Sequence, residues 1–166
     1  MLPAYVPNSA AAAVGGGRPV DAGACWSDGR RILGDGKTVR GFIGGVFFGC
    51  LTGLAQMQVQ EISFLSLLPH MTLIPIFLLA FGALLGDMVK SFFKRRAGID
   101  RGGKWPLVDQ YDFVAGAWIC LLLGDPSFAM TYLTLPVIIA TLILTPILHR
   151  VVNIIGYNMG VKDVPW

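Results

Sequence analysis

Apolar residues in this chain come in long runs broken by short polar stretches. Two runs, Phe64–Leu85 and Met130–Leu148, each approach the roughly 20 residues that a helix needs to cross the hydrocarbon core of a bilayer. A third, Gly41–Val59, is rich in glycine and carries no charge. A fourth, Val114–Leu123, becomes long enough only with Tyr111 and Phe113 before it and Gly124 after it. The weakest is Leu2–Gly17, diluted by two prolines, Asn8 and Ser9; it lacks the basic start and strongly apolar middle of a cleaved signal peptide. Backbone in lipid must satisfy its own hydrogen bonds. The pattern therefore predicts an all-α fold: a polytopic membrane helix bundle of about five transmembrane helices, four if Leu2–Gly17 does not cross. At 166 residues it forms one domain, 1–166.

Composition agrees. Hydrophobic residues make up 54% of the chain and charged ones 14%, with a mean hydropathy of +0.64, far from the soluble average. Charge placement adds a topology. Of the thirteen Lys and Arg, five lie between Arg18 and Arg40, six between Lys90 and Lys104, and two in the tail at Arg150 and Lys162. The connections around Gln60 and Gly124 hold only Glu61 and Asp125. The positive-inside rule puts the basic segments in the cytoplasm, so five spans leave the N-terminus outside and the C-terminus inside the cell membrane.

Other features read as structural. Gly41, Gly45, Gly49 and Gly53 recur every four residues, a smooth stripe that lets a helix approach closely, within the chain or across a homodimer. Pro69, Pro75, Pro136 and Pro146 mark kinks or helix starts. Cys25, Cys50 and Cys120 are scattered without ligand-like spacing, and His70 and His149 are isolated.

The polar chemistry gathers in two glycine-punctuated loops, about 18–40 and 90–110. In Gly86–Arg96, GDMVKSFFKRR, helical spacing puts Asp87, Lys90, Ser91 and Lys94 on one face. The stretch Val108–Phe113, VDQYDF, sets Asp109 and Asp112 three residues apart where the next apolar helix begins. Either acid alone is a plausible helix cap. Three carboxylates converging at one rim beside many cations suit a magnesium–polyphosphate complex better than a bare anion or metal. In the first loop, Asp28-Gly29-Arg30-Arg31 and Gly34-Asp35-Gly36-Lys37-Thr38-Val39-Arg40 mix close-approach glycines with phosphate-neutralising cations. The GKT fragment is not a P-loop: the glycine required five places before Gly36 is Arg31.

Gly86-Asp87-x-x-Lys90-Ser91-x-x-Lys94-Arg95, followed by Asp109-x-x-Asp112, resembles the signature of the CTP-dependent phosphatidate cytidylyltransferases. The short chain, the loop DGRRILGDGKTVRG and the DQ-x-DF ending look like their archaeal branch, the CDP-archaeol synthases. The resemblance covers nearly everything from Val20 onward. It implies transfer of CMP from CTP to an isoprenoid glycerol-ether lipid phosphate, with magnesium as cofactor and release of pyrophosphate. It also implies that Asp87, Asp109 and Asp112 hold the metal, with Lys90 beside them in the catalytic group. Lys90, Ser91, Lys94 and Arg95 would line the triphosphate, and the first loop, through Arg30, Arg31, Asp35, Lys37, Thr38 and Arg40, would close over the nucleotide. Arg101 and Lys104 have no role assigned by it. The expected partners are CTP, the bilayer lipid and the membrane, with no nucleic acid.

Two other readings fit less well. CDP-alcohol phosphatidyltransferases need Asp-Gly-x-x-Ala-Arg and Asp-x-x-x-Asp, and both elements miss here. A transporter or scaffold would place charges near the bilayer midplane, whereas here they lie at a rim or in loops.

Overall fold

The computed structural model describes residues 1–60 and 69–160. Six helices follow one another: α1 Leu2–Val14, α2 Val39–Val59, α3 Leu73–Arg96, α4 Val108–Gly124, α5 Pro126–Tyr132 and α6 Leu135–Asn158. The described residues contain no strand longer than an isolated bridge, so the all-helical expectation holds. Among them, α2, α3 and α6 are long and apolar enough to cross a membrane. At 13 and 17 residues, α1 and α4 are shorter than the roughly 20 residues of a full crossing, and they pack lengthwise on α2 and α3.

Two spans are displaced from their expected places. Part of Phe64–Leu85, together with Glu61, lies outside the described residues, as does the tail with Lys162. The helix that follows starts at Leu73 and continues through the basic run to Arg96. Pro75 sits in its first turn, where no intrahelical N–H bond is lost. The last span starts at Leu135 rather than Met130, with Pro136 in its opening turn. Met130 belongs instead to α5, whose start is capped by the Asp125 carboxylate accepting from Phe128 N at 3.0 Å.

The glycine stripe is used inside the chain. All four of its glycines are buried. A Cβ on Gly45 would stand 2.7 Å from Pro7 O, and one on Gly49 2.7 Å from both Ala80 Cβ and Pro7 Cγ. The stripe is the surface on which α1 and α3 rest, so it is not free to seat a second copy. The core lies among α1, α3 and α4, around Ala4, Ile76, Leu79, Ala83, Val114 and Leu121. By contrast, α6 is mostly lipid-facing. Tyr5 Oη and Thr145 Oγ1 hold it at 2.7 Å, and Tyr111 Oη donates to Leu142 O at 2.8 Å.

Candidate active site

Glycines also build the charged centre. At the crossing of α3 and α4, a Cβ on Gly86 would lie 2.1 Å from Asp112 O, and one on Gly116 2.2 Å from Gly82 O. The backbones touch, which brings Asp87, next to Gly86, against Asp112. Lys90 is one turn beyond Asp87. Its Nζ lies 2.9 Å from Asp87 Oδ1, 2.8 Å from Asp112 Oδ2 and 3.6 Å from Asp109 Oδ1. Lys37, from the first loop, pairs with Asp87 Oδ2. Asp87 and Asp112 are nearly sealed from solvent, and burial of such charges is sustained only by pairing.

The loops are fastened to this centre from both sides. Lys94 Nζ donates to Gly103 O at 2.5 Å and to both Asp109 oxygens, at 2.8 and 3.0 Å. Asp109 Oδ2 also accepts from Trp105 N at 2.6 Å. The chain turns into α4 through Leu107, whose φ of +66° is rare for a residue with a side chain. The first loop folds back on itself through antiparallel bridges, Pro19 with Thr38 and Cys25 with Arg31. It docks on the end of α3 through Arg96 Nε–Asp28 Oδ2 at 2.7 Å and Arg30 Nη1 donating to Arg95 O at 3.1 Å.

The structure thus gathers Asp87, Lys90, Asp109, Asp112, Lys37 and Lys94 in one cluster. Other residues singled out from sequence serve its surroundings. Arg31 pairs with Asp21 and Asp35, each at 2.6 Å, inside the first loop. The Thr38 hydroxyl caps α2 by accepting from Gly41 N at 3.0 Å. Ser91 Oγ donates to Asp87 O at 2.8 Å, back along its own helix. Arg40 is exposed on the first turn of α2. The buried Nε of Arg95 has no hydrogen-bond partner and faces Gly34 of the first loop. Among the described residues, no three His, Cys, Asp or Glu side chains form a ready-made metal cage; the Lys90 ammonium stands where the three carboxylates point.

Sequence reasoning passed over Asp21. Its side chain is 1% exposed and accepts from Arg31 Nη2 at 2.6 Å, Leu33 N at 2.9 Å, Gly34 N at 3.0 Å and Gly23 N at 3.1 Å. Burial pushes this carboxyl up, but the Arg31 guanidinium and the three backbone N–H groups outweigh it and hold it well below the ordinary carboxylate range. The Asp-x-Gly spacing of Asp21 and Gly23 signalled a local turn; the remaining partners come from the far side of the loop.

Two hollows flank the cluster on opposite faces of α3. A helix turns about 100° per residue. Leu84, Asp87 and Met88 share one face and line a cavity of about 90 Å³ closed by α1, α2 and Lys37. Leu85, Val89 and Phe93 share the other and line a groove of about 370 Å³ against Val108, Ala115 and Ile119 of α4. That groove is almost wholly apolar except where Lys90 and Asp112 border it. Val89, Phe93 and Ile119 are each more than half exposed, so it opens to the lipid side. The Asp87–Lys90 pair lies on the seam between the faces.

A helical bundle that buries paired carboxylates and ammoniums at one rim, between a small cavity bordered by Lys37 and Asp87 and a groove open to lipid, has the build of an intramembrane enzyme. Comparison with known proteins bears this out. The chain is 41% identical to a solved intramembrane enzyme for archaeal membrane lipids biosynthesis, with a TM-score of 0.64, covering 79% of this chain and 81% of that one. It is 60% identical to the CDP-archaeol synthases of Methanospirillum hungatei and Methanosphaerula palustris, over 100% of both chains in each case. It matches the CarS-like family, CDP-archaeol synthase, over residues 1–166 and belongs to that family.

Proposed function

We propose that this chain transfers CMP from CTP to the phosphate of an isoprenoid glycerol-ether lipid, 2,3-bis-O-geranylgeranyl-glycerol 1-phosphate, forming CDP-archaeol and pyrophosphate. The observation that carries the reading is the position of the Asp87–Lys90–Asp112 cluster, on the seam between a small cavity that Lys37, Thr38 and Asn8 also line and a larger groove open to lipid. An amphiphile with one charged end fits the groove, whose single polar stretch is Lys90 and Asp112. A nucleotide fits the opposite face, where Lys37 borders the cavity and Arg95 and Arg101 lie over Gly34 and Gly36.

The chemistry needs no dedicated base. The lipid phosphate is already ionised, and one of its oxygens attacks the α-phosphorus of CTP. A new P–O bond forms as the bond from that phosphorus to the bridging oxygen breaks, and pyrophosphate leaves with the electron pair. The obstacle is bringing two polyanions together, so catalysis consists of positioning and charge neutralisation. Lys90 meets the acceptor phosphate from the groove side. Lys37 and Arg95 neutralise the triphosphate and the charge that builds on pyrophosphate.

Magnesium suits the residues present. Of the two buried Asp112 oxygens, Oδ2 lies 2.8 Å from Lys90 Nζ and Oδ1 has no hydrogen-bond partner, which leaves lone pairs for a hard cation. Asp87 and Asp112 would hold it together with substrate oxygens, and the metal would supply Lewis-acid screening of the phosphates. Asp109, occupied by Lys94 and Trp105 N, aligns the second loop. By the positive-inside rule the site faces the cytoplasm and the C-terminus lies inside.

The test is CMP transfer by purified protein in detergent with radiolabelled CTP and magnesium, setting geranylgeranyl diether phosphate beside diacyl phosphatidic acid. Labelled lipid from the diether alone, abolished in Asp87→Asn, is the expected result. Equal use of phosphatidic acid overturns the lipid assignment, and folded protein that labels no lipid phosphate overturns the activity.

A further inference from the structure

The cavity on the Leu84–Asp87 face is a slot. Ala11, Ala12 and Gly41 give it smooth walls, Phe42 an aromatic ring and Leu84 an apolar edge. At roughly 10–15 Å³ for each water-sized group, its volume of about 90 Å³ takes about six to nine heavy atoms. That is the size of a single-ring base.

Four polar side chains line it. Lys37 and Asp87 are paired with each other, and the Thr38 hydroxyl caps α2. The fourth is Asn8, on the helix that enters from the N-terminus; its Oδ1 is buried without a hydrogen-bond partner. An amide with an unsatisfied atom inside a membrane bundle is costly.

We infer that Asn8 binds the hydrogen-bonding edge of the cytosine ring, with the ring lying in the slot and the triphosphate at the Lys37 end. The inference rests on the CTP-dependent reading above and adds the residue that holds the base. Cytosine presents its 4-amino donor next to the N3 acceptor, and rotation about the last bond of Asn8 offers an acceptor and a donor side by side, as amide side chains do with adenine. With the base on Asn8, the α-phosphate comes to the seam at Asp87, which borders the same slot.

The test compares CTP with pyrimidin-2-one riboside triphosphate, which lacks only the 4-amino group, as CMP or analogue donors to the same lipid phosphate. For the wild type, kcat/KM falls about 10- to 100-fold with the analogue, the range expected when one buried partner is left unpaired, and the loss appears mainly in KM. Asn8→Ala lowers kcat/KM for CTP by a similar factor and has little further to lose with the analogue. Asn8→Ser, which keeps a short polar group, is the second variant, and melting curves select the variant that is folded. A wild type that uses both donors equally overturns the inference, as does a folded variant that still discriminates as the wild type does. A wild type that transfers nothing from CTP overturns the underlying activity instead, so the two failures are told apart.

Discussion

Gly116→Ala tests whether close backbone contact creates the charged centre. The new Cβ would stand 2.2 Å from Gly82 O and 2.6 Å from Gly86 N, and real Cβ contacts essentially never fall under 3.0 Å. Both obstacles are backbone, so no side chain can swing aside. To reach 3.0–3.4 Å, α4 must move away from α3 by about 0.8–1.2 Å. Overpacking of this kind costs about 1–3 kcal/mol of stability. The larger effect is on activity: Asp112 leaves Lys90, now 2.8 Å away, by roughly 1 Å, and a misplacement of that size costs about 100-fold in rate. The control is Gly124→Ala at the other end of α4. Its Cβ would meet Leu78 Cδ1 and Cδ2 at 2.7 Å, methyl groups that can rotate away, about 18 Å along the helix from Asp112. CMP transfer is measured well below each variant's melting temperature, determined separately by thermal denaturation. Gly116→Ala should be folded and about 100-fold slower, and Gly124→Ala within about twofold of the parent. A folded Gly116→Ala of normal rate, or an equal loss in Gly124→Ala, would refute the argument.

Other outcomes follow from the same geometry. Asp112→Asn keeps the shape of the side chain but removes the charge that pairs with buried Lys90, so its melting temperature should fall, and at temperatures where it is folded kcat should drop about 100-fold or more; a kcat within tenfold counts against a role in the reaction. Lys90→Met leaves three carboxylates facing one another and should destabilise the fold by about 3–5 kcal/mol, and magnesium should restore part of that loss; a melting temperature indifferent to magnesium argues against a cation site there. Asp21 is depressed in the folded protein. Its contribution is therefore fully present above the ordinary carboxylate value of about 3.9 and is lost as pH falls below it toward the folded value. Fluorescence of Trp26, which stacks edge-on to Phe92 at 5.3 Å, taken as the difference from Trp26→Phe, should change over that acid range, and Asp21→Asn should remove the transition. Chelation of divalent metal should abolish CMP transfer, and added magnesium should restore it.

Features with a short repeat were legible before the structure. Asp87 with Lys90, and Asp109 with Asp112, share helical faces at a spacing of three, and the α2 stripe shows its period of four directly. The α3–α4 crossing was not legible, because Gly116 has no glycine one turn away in its own helix; its match to Gly82 and Gly86 exists only in three dimensions. The Phe64–Leu85 span was misplaced because its apolar run is continuous across Pro69, while the helix itself begins beyond that proline at Leu73 and carries on past the last apolar residue. The roles within the first loop were hidden for a related reason. The family resemblance put Arg31 among the residues closing over the nucleotide, and the fold adds that Asp21 and Asp35 pair with it. Asn8 looked like a flaw in a weak apolar segment until the cavity beside it came into view.

The cavity and the groove have no lining residue in common, although both abut the same helix. Drift in one wall need not disturb the other. A lineage facing a new growth temperature or a new lipid could retune Ala115, Ile119 or Cys120 to chains of another bulk while the opposite face of α3 stayed as it is. The turn of a single helix would then let membrane composition evolve independently of nucleotide chemistry.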